Sequence, residues 1–470
     1  MDFNLKKINM NKANSLILSI LLTFLSLILN AQVDTLATKN NKEEKIKDGW
    51  TFGAVPVIAY DSDLGFKYGG LVNFYNYGKP TSYPEYLQSI YLEISRTTKG
   101  SGINQIAFDS EHMFPDNPIR ITSDFSYLTE QALDFYGFNG YQSVYNSNFE
   151  DDDPNNPLYK SRMYYRMERK MIRFAADFSG NMIGDKLKWL AGFAHINHKM
   201  ASVDINALND GLSDSELLPS IDSVPGLYDE YVNWGIIPQK EADGGKINYI
   251  KLGAVYDSRD NEANPMSGIW SEVILVTAPE FLDNYENDYT QLSITHRQYF
   301  TLVKRKLSFV YRLAYQGTIA GETPFYMLPY LNFSYNPSVV IEGLGGSKSI
   351  RGVLRDRVIG DGVVFGNFEF RWKFMNTVFM NQNLYIALST FADFGQVVQE
   401  TKIDKTNIPT DGNVDLSNYF DSDKDKLHVG YGLGLHFVLN ENFIVAFDYG
   451  LANDKRDGSS GLYIGMNFLF

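Results

Sequence analysis

Cysteine is absent from this chain. That removes a disulfide framework, a thiolate metal site and a cysteine nucleophile at once. Histidine is scarce and scattered, six in 470 residues, and no G-x-S-x-G elbow occurs. No catalytic residue, metal site or cofactor is therefore expected, and the chain reads as a non-enzyme. An excess of positive charge is missing too: 42 Lys and Arg against 56 Asp and Glu give a formal net charge of −14. Nucleic acid is excluded as a partner on that ground, because neutralising phosphates needs a basic face. Beyond residue 31 there is also no uninterrupted apolar run long enough for a membrane-spanning helix. The mature chain is then either soluble or crosses a membrane as strands.

What is present favours strands. The chain carries 31 Tyr, 32 Phe and 38 Gly, a high aromatic and glycine load at slightly negative mean hydropathy. Membrane barrels have this balance because each strand shows lipid on one face and water on the other. At the start, Lys6, Lys7 and Lys12 precede an apolar stretch from Ser15 to Leu29, which ends at Asn30, Ala31 and Gln32. This is the layout of a secretory signal peptide over residues 1–31, cleaved after Ala31. An N-terminal anchor is the alternative, but the stretch is short for a span and ends on a small residue.

Period-two alternation is clearest in 460–470, where Leu462, Ile464, Met466, Phe468 and Phe470 share one parity against Tyr463, Gly465 and Asn467. In 427–439 Val429, Tyr431, Leu433, Leu435, Phe437 and Leu439 oppose His428, Gly430, Gly432, Gly434 and His436. In 361–374 the apolar parity is Val364, Phe368, Phe370, Trp372 and Phe374, which sends Glu369 and Arg371 to the other face. A soluble sandwich would alternate as well, but its strands are shorter than the spans available here. The pattern predicts an all-β, antiparallel transmembrane barrel of about sixteen strands over 50–470. Connections at 129–159, 200–245, 320–360 and 398–426 are long, whereas those at 78–84, 113–117, 180–185, 301–305, 375–381 and 440 are short. With the N-terminus in the periplasm, every long connection falls outside the cell.

Residues 340–360 form a glycine-rich, strongly basic insert between two predicted strands. Lys348-Ser349 lacks the preceding Gly of a phosphate-binding loop, and no strand-to-helix unit follows. A plain surface loop is the alternative. Here the chain resembles the Omp85 superfamily, the outer-membrane insertases and translocases that include BamA, TamA and the two-partner secretion transporters. Ser349-Ile350-Arg351-Gly352-Val353 is similar to the tip of that family's sixth extracellular loop, with Val353 where Tyr or Phe is commoner. Phe391-Ala392-Asp393-Phe394-Gly395 matches its Phe-x-Asp-x-Gly signature, and Gly366-Asn367-Phe368-Glu369 and the turn Asp257-Ser258-Arg259-Asp260-Asn261, with Pro265 and Gly268, resemble two more. The resemblance implies a sixth loop folded into the lumen. It places Arg351 and Gly352 against Asp393 and Glu369, which strand parity independently sends inward. A guanidinium meeting both carboxylates there would latch the loop inside. The alternative is that these charges only solvate a polar wall.

A second candidate is the seam between first and last strands, marked by Gly53, Pro56, Gly461 and Phe470. Pro56 cannot donate to a ladder, and glycine weakens strand packing; a closed barrel with a local bulge is the alternative reading. Residues 32–49 are short, polar and charged, too few for a POTRA domain or a passenger, so the chain reads as a barrel-only member. The expected role is translocation or insertion of protein or lipid at the Gram-negative outer membrane. Lipid, lipopolysaccharide, an unknown client and a separate periplasmic partner protein are the expected contacts. A diffusion porin is the main rival and a phospholipase-type enzyme the lesser one. Asp421, Asp423 and Asp425 imitate the start of an EF-hand, but Lys426 and Gly432 stand where its Gly and closing Glu belong.

Overall fold

The computed structural model describes residues 46–470, apart from 62–64, 112, 114–118, 285–286, 336–341, 380–381 and 410–413. The expected signal peptide, and residues 32–45 of the polar tail, lie outside the described residues. The described residues form sixteen strands that pair in sequence order within one antiparallel sheet. The first half is β1 (Trp50–Asp61), β2 (Gly65–Asn76), β3 (Gln88–Thr97), β4 (Gly102–Ser110), β5 (Arg120–Asp134), β6 (Arg166–Ile183), β7 (Leu187–Ala201) and β8 (Gly244–Asp257). The second half is β9 (Gly268–Ala278), β10 (Tyr289–Val303), β11 (Leu307–Gly321), β12 (Gly362–Phe379), β13 (Gln382–Gln399), β14 (His428–Leu439), β15 (Phe443–Ala452) and β16 (Ser460–Met466). Among the described residues no helix is long and apolar enough to cross a membrane.

Strand alternation sorts the side chains as a barrel requires. On β12, Phe368, Phe370, Trp372 and Phe374 are exposed while Asn367, Glu369 and Arg371 are buried. Apolar rings therefore meet lipid, and charge faces the lumen. The inner wall is held by ion pairs between strands, among them Arg173–Asp124 at 3.0 Å across β6 and β5 and Lys251–Asp177 at 2.8 Å, which reaches from β8 over Gly192 of β7 to β6. From β1 to β16 each strand is laddered to the next, the backbone pairing that hydrocarbon surroundings demand.

The two ends of the barrel differ. One carries short turns; the other carries the long connections, which pack into an aromatic cap of their own. Phe135, Tyr165, Tyr231, Trp234, Phe325 and Phe420, from four different connections, share one buried cluster.

No ladder joins β1 to β16 among the described residues. At the turn end the gap is bridged by side chains instead. A Cβ on Gly53 would collide with the Phe443 ring, so β1 lies directly against the start of β15. Asn442 donates from Nδ2 to Tyr77 Oη at 3.0 Å and to the Pro84 carbonyl at 2.6 Å, and Tyr75 Oη donates to the Asn442 carbonyl at 3.2 Å. β16 stops at Met466, short of the expected 460–470, because Asn467 takes φ +68° and leaves the strand. Phe468 and Phe470 then turn inward and are buried.

Candidate functional site

The connection between β11 and β12, residues 322–361, is the sixth long-end loop, and it enters the lumen in two limbs. Its second limb has structure of its own. Leu344 and Val358 exchange backbone hydrogen bonds at 3.1 and 3.0 Å, and Gly346 N donates to the Val353 carbonyl at 3.0 Å. Ser349 Oγ donates to the carbonyls of Gly343 and Gly345, both at 3.1 Å. Leu344, Ile350, Val353 and Val358 pack on Ala314, Val363, Phe365 and Val397 of the wall. Apolar burial thus seats the limb, and its tip presents one cation.

That cation is Arg351, 1% exposed. Its Nε and Nη2 donate to Asp393 Oδ2 and Oδ1 at 2.8 and 3.1 Å, a bidentate fork, and its backbone N adds a third bond to Oδ2 at 3.1 Å. Nη1 reaches Asp448 Oδ2 at 3.1 Å and Nη2 reaches Glu369 Oε2 at 3.4 Å. Glu369 is shared with Arg371, whose Nε lies 3.1 Å away. The Arg351 guanidinium also lies over the Phe391 ring at 3.5 Å. Buried charge is tolerable when paired and hydrogen-bonded in this way.

The strand motif supplies the floor of this site because its odd residues all face inward. Phe391 stacks, Asp393 accepts, and Gly395 leaves room that a Cβ would take from Ile350 and Leu344, at 2.8 and 2.9 Å. On β12, Asn367 accepts from Arg312 Nε at 2.8 Å and donates to the Ser349 carbonyl at 2.6 Å. Gly352 has φ +100° and donates its N–H to Tyr463 Oη on β16 at 2.9 Å. A Cβ on Gly450 would lie 2.6 Å from Gly352 N, and one on Gly430 would strike the Arg351 carbonyl. The loop tip therefore rests on bare backbone of β14 and β15.

The first limb was not anticipated from the sequence. Asn332 N donates to Gln316 Oε1 at 2.7 Å, its Nδ2 donates to Gln291 Oε1 at 3.0 Å, and Lys251 Nζ donates to the Phe333 carbonyl at 3.2 Å. Ser334 donates from N to Glu272 at 3.1 Å and from Oγ to the same carboxylate. Tyr335 bonds Ser179 Oγ at 2.6 Å and lies 4.4 Å beneath the Arg120 guanidinium, at the turn end of β5. The first limb is thus held by residues of β6 and β8–β11, and the second by residues of β11–β16.

Two further clusters went unread. His428 places Nδ1 2.7 Å from Asp457 and Nε2 3.0 Å from Asp425, with Tyr141 stacked on it at 3.9 Å. Arg357 joins that knot by donating to the carbonyls of Gly140 and Ser143 at 2.9 and 3.1 Å. Asp425, part of the false EF-hand start, is a loop tether here. In the loop itself, burial pushes the Asp356 carboxyl up to about 7 although Arg355 and Arg169 pull it down.

The remaining sequence candidates fall as follows. The turn motif is a local brace: Arg259 forks onto Asp257 at 2.9 and 3.0 Å and stacks over Trp270 at 4.2 Å. Pro56 stands opposite Gly70 in β1, and Gly461 opposite Gly450 in β16. Phe470, expected at the seam, is instead inside the barrel, where its carbonyl accepts from Arg371 Nη2 at 2.9 Å. The strand ends at Asn467, and that removes Phe470 from any edge.

The model of the Omp85 superfamily domain matches residues 136–470. No curated protein matches the chain. Among solved structures it is similar to BamA from Haemophilus ducreyi lacking POTRA domains 1–3, at 13% identity and a TM-score of 0.45, over 89% of this chain and 69% of that one. CdiB from Escherichia coli aligns at 10% identity and a TM-score of 0.48, over 90% of this chain and 61% of that one. CdiB from Acinetobacter baumannii aligns at 12% identity and 0.40, over 90% and 60%. The chain thus spans about six-tenths of the length of the CdiB chains it resembles. With the family model covering well over half of the sequence, this sixteen-stranded chain belongs to the Omp85 superfamily.

Proposed function

We propose that the chain takes part in inserting or translocating a macromolecule, protein or lipid, at the outer membrane, and that Arg351 is the latch holding its sixth loop inside. The observation that carries this reading is a long loop seated against the inner wall of the barrel. A passive pore needs an open water path, whereas here both limbs of one loop are hydrogen-bonded to the inner wall, one to β10 and the other to β13. A loop whose tip is held by one buried guanidinium is a plug that a binding event can release. The unladdered junction of β1 and β16 supports a barrel whose wall can part beside that plug. The latch touches this junction, since Gly352 bonds Tyr463 on β16.

In this reading residues 1–31 are removed on export, 50–470 make the barrel, the N-terminus and short turns face the periplasm, and the cap faces outward. Lipid and lipopolysaccharide surround the apolar band, and residues 32–49 dock a separate periplasmic partner that delivers the client. Crosslinking in intact membranes tests the role. A client or partner captured through cysteines placed beside the seam supports it, and capture that is equally frequent from β8, across the barrel, counts against it.

A further inference from the structure

Two arginines of the inner wall stand opposite each other with no carboxylate between them. Arg297 on β10 and Arg312 on β11 are direct cross-strand partners, an arrangement that like charges disfavour. Arg312 is 2% exposed, and Thr295 and Tyr299, which share the parity of Arg297, are buried. The two guanidinium carbons flank a single ring, each 5.8 Å from the centroid of Phe333. They are neighbours in space as well as in register.

Inward cations elsewhere on the wall have an acid: Arg173 has Asp124, Lys251 has Asp177, and Arg371 has Glu369. Among the described residues neither Arg297 nor Arg312 forms an ion pair, and Asp393, the acid whose charge reaches Arg312, is already forked by Arg351. Arg312 donates only to neutral acceptors, Asn367 Oδ1 at 2.8 Å and the Lys348 carbonyl at 3.0 Å. The Nε of Arg297 is buried without a partner, and so is the hydroxyl of Tyr299, the next inward residue on β10. Buried charge and buried donors left in this state are strongly unfavourable unless something answers them.

We propose that Arg297, Arg312 and Tyr299 form a binding site inside the barrel for a phosphate-class oxyanion. Guanidinium forks match oxyanions bidentately. Two forks with most of their N–H groups free, plus a hydroxyl, offer more donors than a carboxylate accepts, whereas a phosphoryl group presents more acceptor oxygens over a wider angle. The phosphate of a lipid headgroup and free inorganic phosphate share this chemistry. Phe333 belongs to the first limb of the loop, so an anion held here also pins that limb to the wall.

The test uses the purified full chain in detergent. Inorganic phosphate is titrated by calorimetry against sodium chloride at matched ionic strength, and the phosphorus that co-purifies with the protein is measured in parallel. Saturable phosphate binding that Arg297→Gln weakens by at least about tenfold, the scale of a lost charged hydrogen bond, identifies a free-phosphate site. Organic phosphorus that co-purifies with the wild type and is lost in Arg297→Gln identifies a lipid headgroup. Arg297 is half-buried, so this variant carries the test even if Arg312→Gln does not fold. Equal responses to phosphate and chloride, with no phosphorus dependent on Arg297, overturn the proposal.

Discussion

Arg351 Nε lies 2.8 Å from Asp393 Oδ2, a contact that joins a loop tip to a strand 42 residues further along the chain. Replacing Arg351 by Ala takes the guanidinium from Asp393 and Asp448 in a buried site and leaves Glu369 with Arg371 alone. Breaking a buried pair from one side costs about 3–5 kcal/mol. Arg351→Ala should therefore remain a membrane-inserted barrel that unfolds at lower temperature, with residues 342–358 newly open to protease. Arg351→Lys should recover little, because a point charge cannot fork. Unchanged protease protection in the alanine variant would count against the latch.

The glycines beneath the loop tip predict a second effect. Gly450→Val puts side-chain atoms where Gly352 N now sits, and Gly430→Ala meets the Arg351 carbonyl. Both obstructing atoms are backbone, so neither can swing aside. Each variant should displace the tip and reproduce the protease sensitivity of Arg351→Ala while leaving every charge in place. Gly465→Ala has open space around its Cβ and serves as the silent control.

All sixteen strands were legible because lipid on one face and water on the other impose period two on the sequence, and turn residues break it. The Arg351 site was legible because strand parity sends Glu369 and Asp393 inward and a motif names their partner. Asp448 was missed because it lies outside the motifs, on β15, two strands beyond Asp393, although alternation with the exposed Tyr449 turns it inward. The first limb, Leu331–Tyr335, reads as ordinary loop, and its capture depends on Glu272, Lys251 and Ser179 from three strands distant in sequence. The end of β16 was misjudged because Phe468 and Phe470 keep the alternation of a strand although Asn467 has already turned the backbone.

The loop should also respond to pH through Asp356. Its carboxyl is held at about 7 when the loop is seated and returns to the ordinary carboxylate range when the loop is released. The seated state therefore binds the proton more tightly, and its advantage is complete at low pH, declines as pH rises from the ordinary range through about 7, and is flat above. Protease cleavage within 342–358 should be slower at about pH 5 than at about pH 8. Asp356→Asn should abolish that difference, and an unaltered profile in the variant would assign it to another group.

Phe443 predicts the behaviour of the seam. Its ring is buried between Gly53 and the Tyr75–Tyr77 pair, where among the described residues no ladder holds β1 to β16. Phe443→Ala should destabilise the barrel by about 3–5 kcal/mol, the usual loss for a buried phenylalanine. A cysteine pair at positions 54 and 466 should cross-link at a different rate in this background, since the spacing of the two strands there depends on side chains alone. An identical cross-linking rate would mean that Phe443 packs without governing the seam.

Conductance in planar bilayers tests the central claim most directly, that the sixth loop plugs this barrel. The intact chain should show no steady open state, and a variant lacking residues 331–358 should open a large, persistent pore. A wild-type protein that conducts steadily, at a level unchanged by that deletion, would contradict the account and make the barrel a porin.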